Sequence, residues 1–130
     1  MIQFKKTLLP ILLTGIWINV SGTIRWIFLV KSYWVEYYRK LDLIFPTESI
    51  NGVTWVIWGF IIAIFIFIIS RKFNLVQTTL ITWFLVFVMQ WVVLWNIAMF
   101  PVNTLWTIIP LSFIEVFIGA LICKRTSPVN

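Results

Sequence analysis

Glu115 is the residue whose type and position most clearly suggest chemistry, because it is the only acidic residue inside a long apolar segment of this sequence. A charged side chain is costly at membrane depth, so such residues usually face the interior of a helix bundle and often serve function. Without a partner, this carboxyl is expected to be protonated at neutral pH, since ionisation in hydrocarbon is unfavourable. It could then exchange a proton or bind a cation. The alternative is a structural hydrogen bond between helices.

Further polar residues within the apolar segments are candidates to bind a ligand or a proton together with Glu115. They are Asn19, Arg25, Thr82 and Gln90. Counting residues from the predicted helix ends places Arg25 roughly 12 Å from Glu115 along the bundle. We therefore expect Arg25 to extend toward the headgroups or an acid of the first loop, and not to pair with Glu115. Asn19 and Thr82 lie nearer to Glu115 in depth. Amide side chains in membranes commonly join helices through hydrogen bonds, which is the alternative for Asn19 and Gln90.

Tryptophan is abundant, with nine residues. Seven fall in the outer half of the predicted topology or in its outer loop: Trp26, Trp34, Trp55, Trp58, Trp91, Trp95 and Trp106. Such residues typically form an aromatic belt at the membrane interface. They could instead wall a cavity for a lipophilic or cationic guest, because a ring face attracts cations.

The composition indicates a membrane protein with little room for a domain outside the membrane. Of 130 residues, 62% are hydrophobic and 11% are charged, whereas soluble domains are about a quarter charged. The absence of histidine and the single cysteine, Cys123, argue against haem, most zinc sites and a disulfide. We expect no metal and no cofactor, and we find no catalytic grouping that would identify an enzyme.

Four apolar segments predict an all-α integral membrane protein. They cover residues 8–30, 50–70, 76–100 and 104–123, each close to the ~20 residues that cross a bilayer. The second and third connections are short, which favours an up-down bundle. Small and polar residues recur on one face of each segment and indicate helix packing.

Basic pairs determine the predicted orientation. They stand at Lys5/Lys6, Arg71/Lys72 and Lys124/Arg125, and four crossings place all three pairs on one side. The positive-inside rule then puts both termini in the cytoplasm, and we expect the plasma (inner) membrane. Because these charges flank apolar spans and do not form one patch along the sequence, the expected partner is the lipid bilayer and not nucleic acid.

The first loop has the pattern of an amphipathic helix over residues 31–46. Trp34, Tyr37, Tyr38, Leu41 and Phe45 recur at helical spacing. The segment either lies in the outer headgroup region or continues the first helix beyond the membrane. Pro46 is expected to end it.

Three functions are compatible with these observations. The first is transport or binding of a small lipophilic or cationic molecule through Glu115, by a homodimer because four short helices seldom enclose a large pathway. The second is a non-catalytic subunit that binds a larger membrane partner. The third is a lipid-modifying or isomerising enzyme with Glu115 as its acid.

Overall fold

The computed structural model describes residues 4–127 and is helical, with no β-strand within that range. It contains the four predicted helices, each long and apolar enough to span a membrane. They are α1 (Phe4–Lys40), α2 (Ser49–Ser70), α3 (Leu75–Asn96) and α4 (Val102–Thr126).

Helix α1 runs without a break for 37 residues, so the amphipathic segment of the first loop continues the first helix. The helix ends at Lys40, and the prediction that Pro46 ends the segment is wrong. The backbone N–H of Leu43 donates to the Tyr38 carbonyl, and that of Asp42 donates to the Arg39 carbonyl. Asp42 adopts a left-handed conformation with φ of 56°. This paired pattern ends a helix by satisfying its last carbonyls.

Helix α3 ends in the same way and is shorter than predicted. It stops at Asn96, whereas the hydrophobic pattern predicts a helix to residue 100. Ala98 is left-handed with φ of 57°. The N–H groups of Met99 and Ala98 donate to the carbonyls of Leu94 and Trp95. Hydrophobicity continues past this turn, which explains why it does not reveal the helix end.

Besides the π-helical turn with which α1 begins, Phe4–Leu8, two π-helical turns lie within the helices, at Trp26–Val30 in α1 and Phe84–Val88 in α3. A π-turn adds one residue to a helical turn and so rotates the side chains that follow. Both turns lie beside Arg25. The first begins at the next residue, and the second contains Phe87, whose ring centroid is 5.5 Å from the Arg25 guanidinium carbon.

Helices α1 and α2 approach closely through glycine. A Cβ atom on Gly59 would lie 2.6 Å from Asn19 Nδ2, and one on Gly15 would lie 2.2 Å from the Phe60 ring. The Asn19 amide donates to the Gly15 carbonyl at 2.9 Å and to the Val56 carbonyl at 3.4 Å. The glycines therefore make room for one aromatic ring and one amide between the two backbones, as is common where helices associate in membranes.

Helices α1 and α4 run in opposite directions. Ser127 Oγ donates to the Lys6 carbonyl at one end, and further along Trp17 Nε1 donates to the Glu115 carbonyl. Helix α2 joins this pair through a small apolar core. The core consists of Ile62, Ile66, Ala120 and Cys123.

Five aromatic rings pack together at the far end of α1, that is, its C-terminal end near Lys40, and form what we call the aromatic cluster. Its members are Trp26, Trp34, Tyr38, Phe45 and Phe100. Phe45 is central: its ring stacks on Trp26 at 5.0 Å and meets Tyr38 edge-on at 5.0 Å. The cluster holds the 41–48 connection against α1.

Candidate functional site

Glu115 lies inside the bundle and is paired with Arg25. Glu115 as a whole is 8% exposed, and its Oε2 atom is 2.6 Å from Arg25 Nε. The two atoms form an ion pair, but neither completes a well-aligned hydrogen bond within the described chain. The Phe87 ring lies against the guanidinium, and such a ring face attracts a cation.

Two further residues of α1 bind the same residue of α4. Ser21 Oγ donates to Glu115 Oε1 at 3.0 Å, and Trp17 Nε1 donates to the Glu115 main-chain carbonyl at 2.8 Å. Trp17 can lie close to α4 because the residue one turn after Glu115 is Gly119, which has no side chain. A Cβ atom there would be 3.5 Å from the Trp17 ring and 3.3 Å from Ile18.

We call Trp17, Ser21, Arg25 and Glu115 the ion-pair cluster. Its three α1 members are four residues apart, so they lie along one face of that helix. Helix α4 brings Glu115 to the middle of this face. The carboxylate is neutralised by the guanidinium and accepts one hydroxyl hydrogen bond, which are the interactions that a buried charge requires.

The pairing of Arg25 with Glu115 corrects the expectation that the two residues lie too far apart. That estimate compared the heights of the two residues along their helices. Side chains of a helix lean toward its N-terminus. Because α1 and α4 run in opposite directions, the Arg25 and Glu115 side chains lean toward each other. An arginine is also long enough to close the remaining gap.

The other predicted polar residues do not join the ion-pair cluster. Asn19 binds the Gly15 and Val56 carbonyls between α1 and α2. Thr82 is 1% exposed, and its hydroxyl has no hydrogen-bond partner among the described residues. Gln90 is half-buried in α3, and no hydrogen bond links it to the cluster within residues 4–127.

The predicted belt tryptophans divide into two groups. Four lie on the outside of the helices, and their exposed fractions are 57% for Trp55, 40% for Trp58, 65% for Trp95 and 90% for Trp106. The other three pack against neighbouring rings, and Trp34 among them belongs to the aromatic cluster. Trp91 meets Trp83 edge-on at 6.1 Å, and Trp26 stacks on Phe45. The first four lie at the surface of the described chain, and their membership of an interfacial belt stays a prediction.

Two shallow concave surfaces of the described chain lie away from Glu115. One is a groove of about 350 Å³ along the far end of α1, lined by Ser32, Tyr33, Glu36, Tyr37, Lys40 and Asn103. The other has about 420 Å³ and is lined by apolar residues of α3, namely Leu80, Ile81, Trp83, Phe84 and Leu85. Both are open to the surface, so neither provides an enclosed chamber around the acid.

Sequence reasoning missed Trp17, Ser21 and Phe87 as neighbours of the charged pair. The spacing of Trp17, Ser21 and Arg25 is a signal that could have identified a polar face aimed at one partner helix. Phe87 has no comparable signal, because its position depends on the π-turn of α3.

The described residues contain no group of three or more histidine, cysteine or acidic side chains that could hold a metal ion. Comparison with protein-family models, curated proteins and solved structures finds no match for this chain.

Proposed function

We propose that the protein is a multi-pass plasma-membrane protein whose four helices cross the bilayer up and down, with both termini in the cytoplasm. Large apolar side chains at the helix surfaces support a lipid environment: Phe28 is 76% exposed and Val92 is 59% exposed. The three basic pairs support the orientation.

Cysteine labelling tests this topology. In a Cys123→Ser background, a single cysteine replaces either Lys72 or Thr47, which lie in different connections. A membrane-impermeant maleimide applied to intact cells should label the Thr47 position, while the Lys72 position should react only after the membrane is permeabilised. Labelling of both positions in intact cells contradicts the proposal.

We further propose that the protein functions as a non-catalytic membrane subunit that binds a larger membrane partner. The observation that carries this proposal is the engagement of Glu115 by Arg25 and Ser21 of the same chain. A carboxylate with those partners is suited to holding two helices together. Recognition is then left to the surface of the protein.

The groove at the far end of α1 is the best candidate for that recognition surface. Its α1 members recur at helical spacing on one face, and Asn103 of α4 completes it. The face carries hydroxyl, aromatic and charged groups, unlike the apolar surfaces of the rest of the helices. Arg39 donates two hydrogen bonds to Glu36 and holds the pKa of that carboxyl below its ordinary value, so the acid is charged at neutral pH.

We assign the groove to an extramembrane loop of the partner. Tyr33, 43% exposed, and Lys40 at its edge offer an aromatic surface and a cation, which suit an acidic or aromatic side chain of such a loop. Tyr37 is already bound, since its hydroxyl donates to the Ala98 carbonyl at 2.6 Å.

Affinity purification in mild detergent tests the assignment. A Tyr33→Ala/Lys40→Ala variant should lose a stoichiometric membrane partner that the unmodified protein retains. Val35→Ala is the matched control, because Val35 is 40% exposed on the same helical segment but does not line the groove. Isolation of the unmodified protein only as a monomer or homodimer contradicts the proposal.

Transport of a small lipophilic or cationic molecule by a homodimer is the second candidate. One fully buried hydroxyl, that of Thr82, has no partner among the described residues. A buried hydroxyl without a hydrogen bond costs about 1–3 kcal/mol, which a binding role would explain. Thr82 precedes Trp83, whose indole donates to Ser112 one turn from Glu115.

Thr82→Val separates transport from structure. Valine has nearly the same shape, so the variant should fold at least as well while it loses uptake of a lipophilic cation, tetraphenylphosphonium, into proteoliposomes. Thr79→Val is the control, because Thr79 is equally buried but its hydroxyl already donates to the Leu75 carbonyl. Full uptake by Thr82→Val would remove this candidate.

A further inference from the structure

The three basic pairs, far apart in the sequence, meet at one end of the folded chain. Ser127 connects them: its hydroxyl donates to the Lys6 carbonyl at 2.8 Å and accepts from Arg71 Nη1 at 3.3 Å. Lys124 Nζ donates to the Ser70 carbonyl at 2.9 Å. The ends of α1, α2 and α4 are thereby held together. We call this region the basic end; its cations are Lys5, Lys6, Arg71, Lys72, Lys124 and Arg125.

No acidic side chain neutralises the basic end. The chain has four acidic residues. Glu115 is paired with Arg25 inside the bundle, and Glu36, Asp42 and Glu48 belong to the far end of α1 and the connection that follows it. Five of the six cations are exposed, and Lys124 is half-buried.

The apolar helix surfaces begin directly beside these cations. Phe67 of α2 lies against Arg71, with 5.6 Å between the guanidinium carbon and the ring centroid. Leu8 of α1, 53% exposed, follows Lys5 and Lys6 by one turn or less. A ligand that fits both surfaces has an anionic head and an apolar tail. Guanidinium and ammonium groups donate charge-assisted hydrogen bonds to phosphate oxygens, and clusters of such groups beside membrane helices bind anionic headgroups.

We propose that the basic end is a binding surface for anionic phospholipids, whose phosphates contact the exposed cations and whose acyl chains lie along α1 and α2. This surface is separate from the groove at the far end of α1 and does not depend on a protein partner. Lys5 and Lys72 are the best probes, because both are exposed and their ammonium groups make no hydrogen bond or ion pair within the described residues.

The test measures binding of phosphatidylglycerol and phosphatidylcholine with identical acyl chains to the full-length protein in neutral detergent, by native mass spectrometry. Phosphatidylglycerol should bind preferentially, and its binding should weaken as salt rises. A Lys5→Gln/Lys72→Gln variant should bind it about twenty-five-fold more weakly, since each cation near an anionic lipid contributes roughly a fivefold gain in affinity. Lys31→Gln/Arg39→Gln removes two exposed cations from the other part of α1, neither of which lines the groove, and should leave lipid binding unchanged.

Equal binding of the two lipids overturns the proposal, as does an equal loss of binding in the two double variants. A short single-stranded oligonucleotide provides a second polyanion in competition. If it displaces phosphatidylglycerol at equimolar concentration, the surface prefers nucleic acid and the lipid assignment is wrong. Thermal unfolding of each variant without lipid should match the unmodified protein, which shows that lost binding is not lost folding.

Discussion

Arg25 of α1 and Glu115 of α4 form an ion pair inside the bundle, with 2.6 Å between Nε and Oε2. The side chain of Arg25 is 20% exposed and that of Glu115 is 10% exposed. Removing one partner of such a pair leaves an uncompensated charge in a poorly solvated place. The two possible removals are not equivalent, because a lone carboxyl can become neutral by taking up a proton whereas a lone guanidinium stays charged.

Glu115→Gln should therefore destabilise the protein more than Arg25→Gln. We expect Glu115→Gln to lower the free energy of unfolding by about 3–5 kcal/mol, the usual cost of breaking a buried pair. Equilibrium unfolding in mixed detergent micelles measures the change.

The double variant Arg25→Gln/Glu115→Gln provides the control for coupling. With both charges removed, it should be more stable than Glu115→Gln alone. If the effects of the two single substitutions simply add in the double variant, the two residues do not act as a pair.

Gly59→Ala should weaken the packing of α1 against α2. The added Cβ would lie 2.6–2.8 Å from the Asn19 side chain, and overpacking of this kind costs about 1–3 kcal/mol. Gly52→Ala is the control in the same helix, because a Cβ there meets nothing within 4 Å. Unfolding measurements should show a loss for Gly59→Ala alone; equal stabilities would contradict the close helix contact.

Ala98→Gly should stabilise the end of α3. Ala98 has a φ of 57°, a conformation that costs a residue with a Cβ atom about 1–2 kcal/mol. Glycine adopts it freely, so the melting temperature should rise. Asp42→Gly tests the explanation, since Asp42 is also left-handed but aspartate tolerates this region better. A gain at Asp42 as large as that at Ala98 would show that local strain is not the cause.

Trp17→Phe should weaken the contact of α1 with α4. Phenylalanine keeps an aromatic ring but cannot donate the hydrogen bond to the Glu115 carbonyl, whose net contribution is about 1 kcal/mol. Trp106→Phe is the control, because Trp106 is 90% exposed. Thermal unfolding should show a lower melting temperature for Trp17→Phe only, and an unchanged value would exclude an important role for that bond.

Several features of this protein follow from the sequence alone. The existence of four long apolar helices follows from hydrophobic runs, which are local properties of the chain. The continuation of α1 beyond the membrane is one of the two interpretations of the amphipathic pattern over residues 31–46, although its end at Lys40 is not predicted. The candidate polar residues were also identifiable, because Glu115 and Arg25 stand out within apolar segments whatever the fold.

Only the tertiary structure decided which of these residues meet. The partner of Glu115 depends on how far α1 is shifted along α4, and that shift depends on close contacts such as Trp17 against Gly119. Residue counting from helix ends gave an offset that the opposite tilt of the two side chains cancels. Helix ends at Lys40 and Asn96 likewise depend on left-handed turns at Asp42 and Ala98. Alanine rarely adopts this conformation, and aspartate, which tolerates it better, is common in other conformations too, so neither residue predicts the turn. The spacing of residues in the sequence shows which side chains share one face of a helix. It does not show how far the facing helix is shifted along the bundle axis.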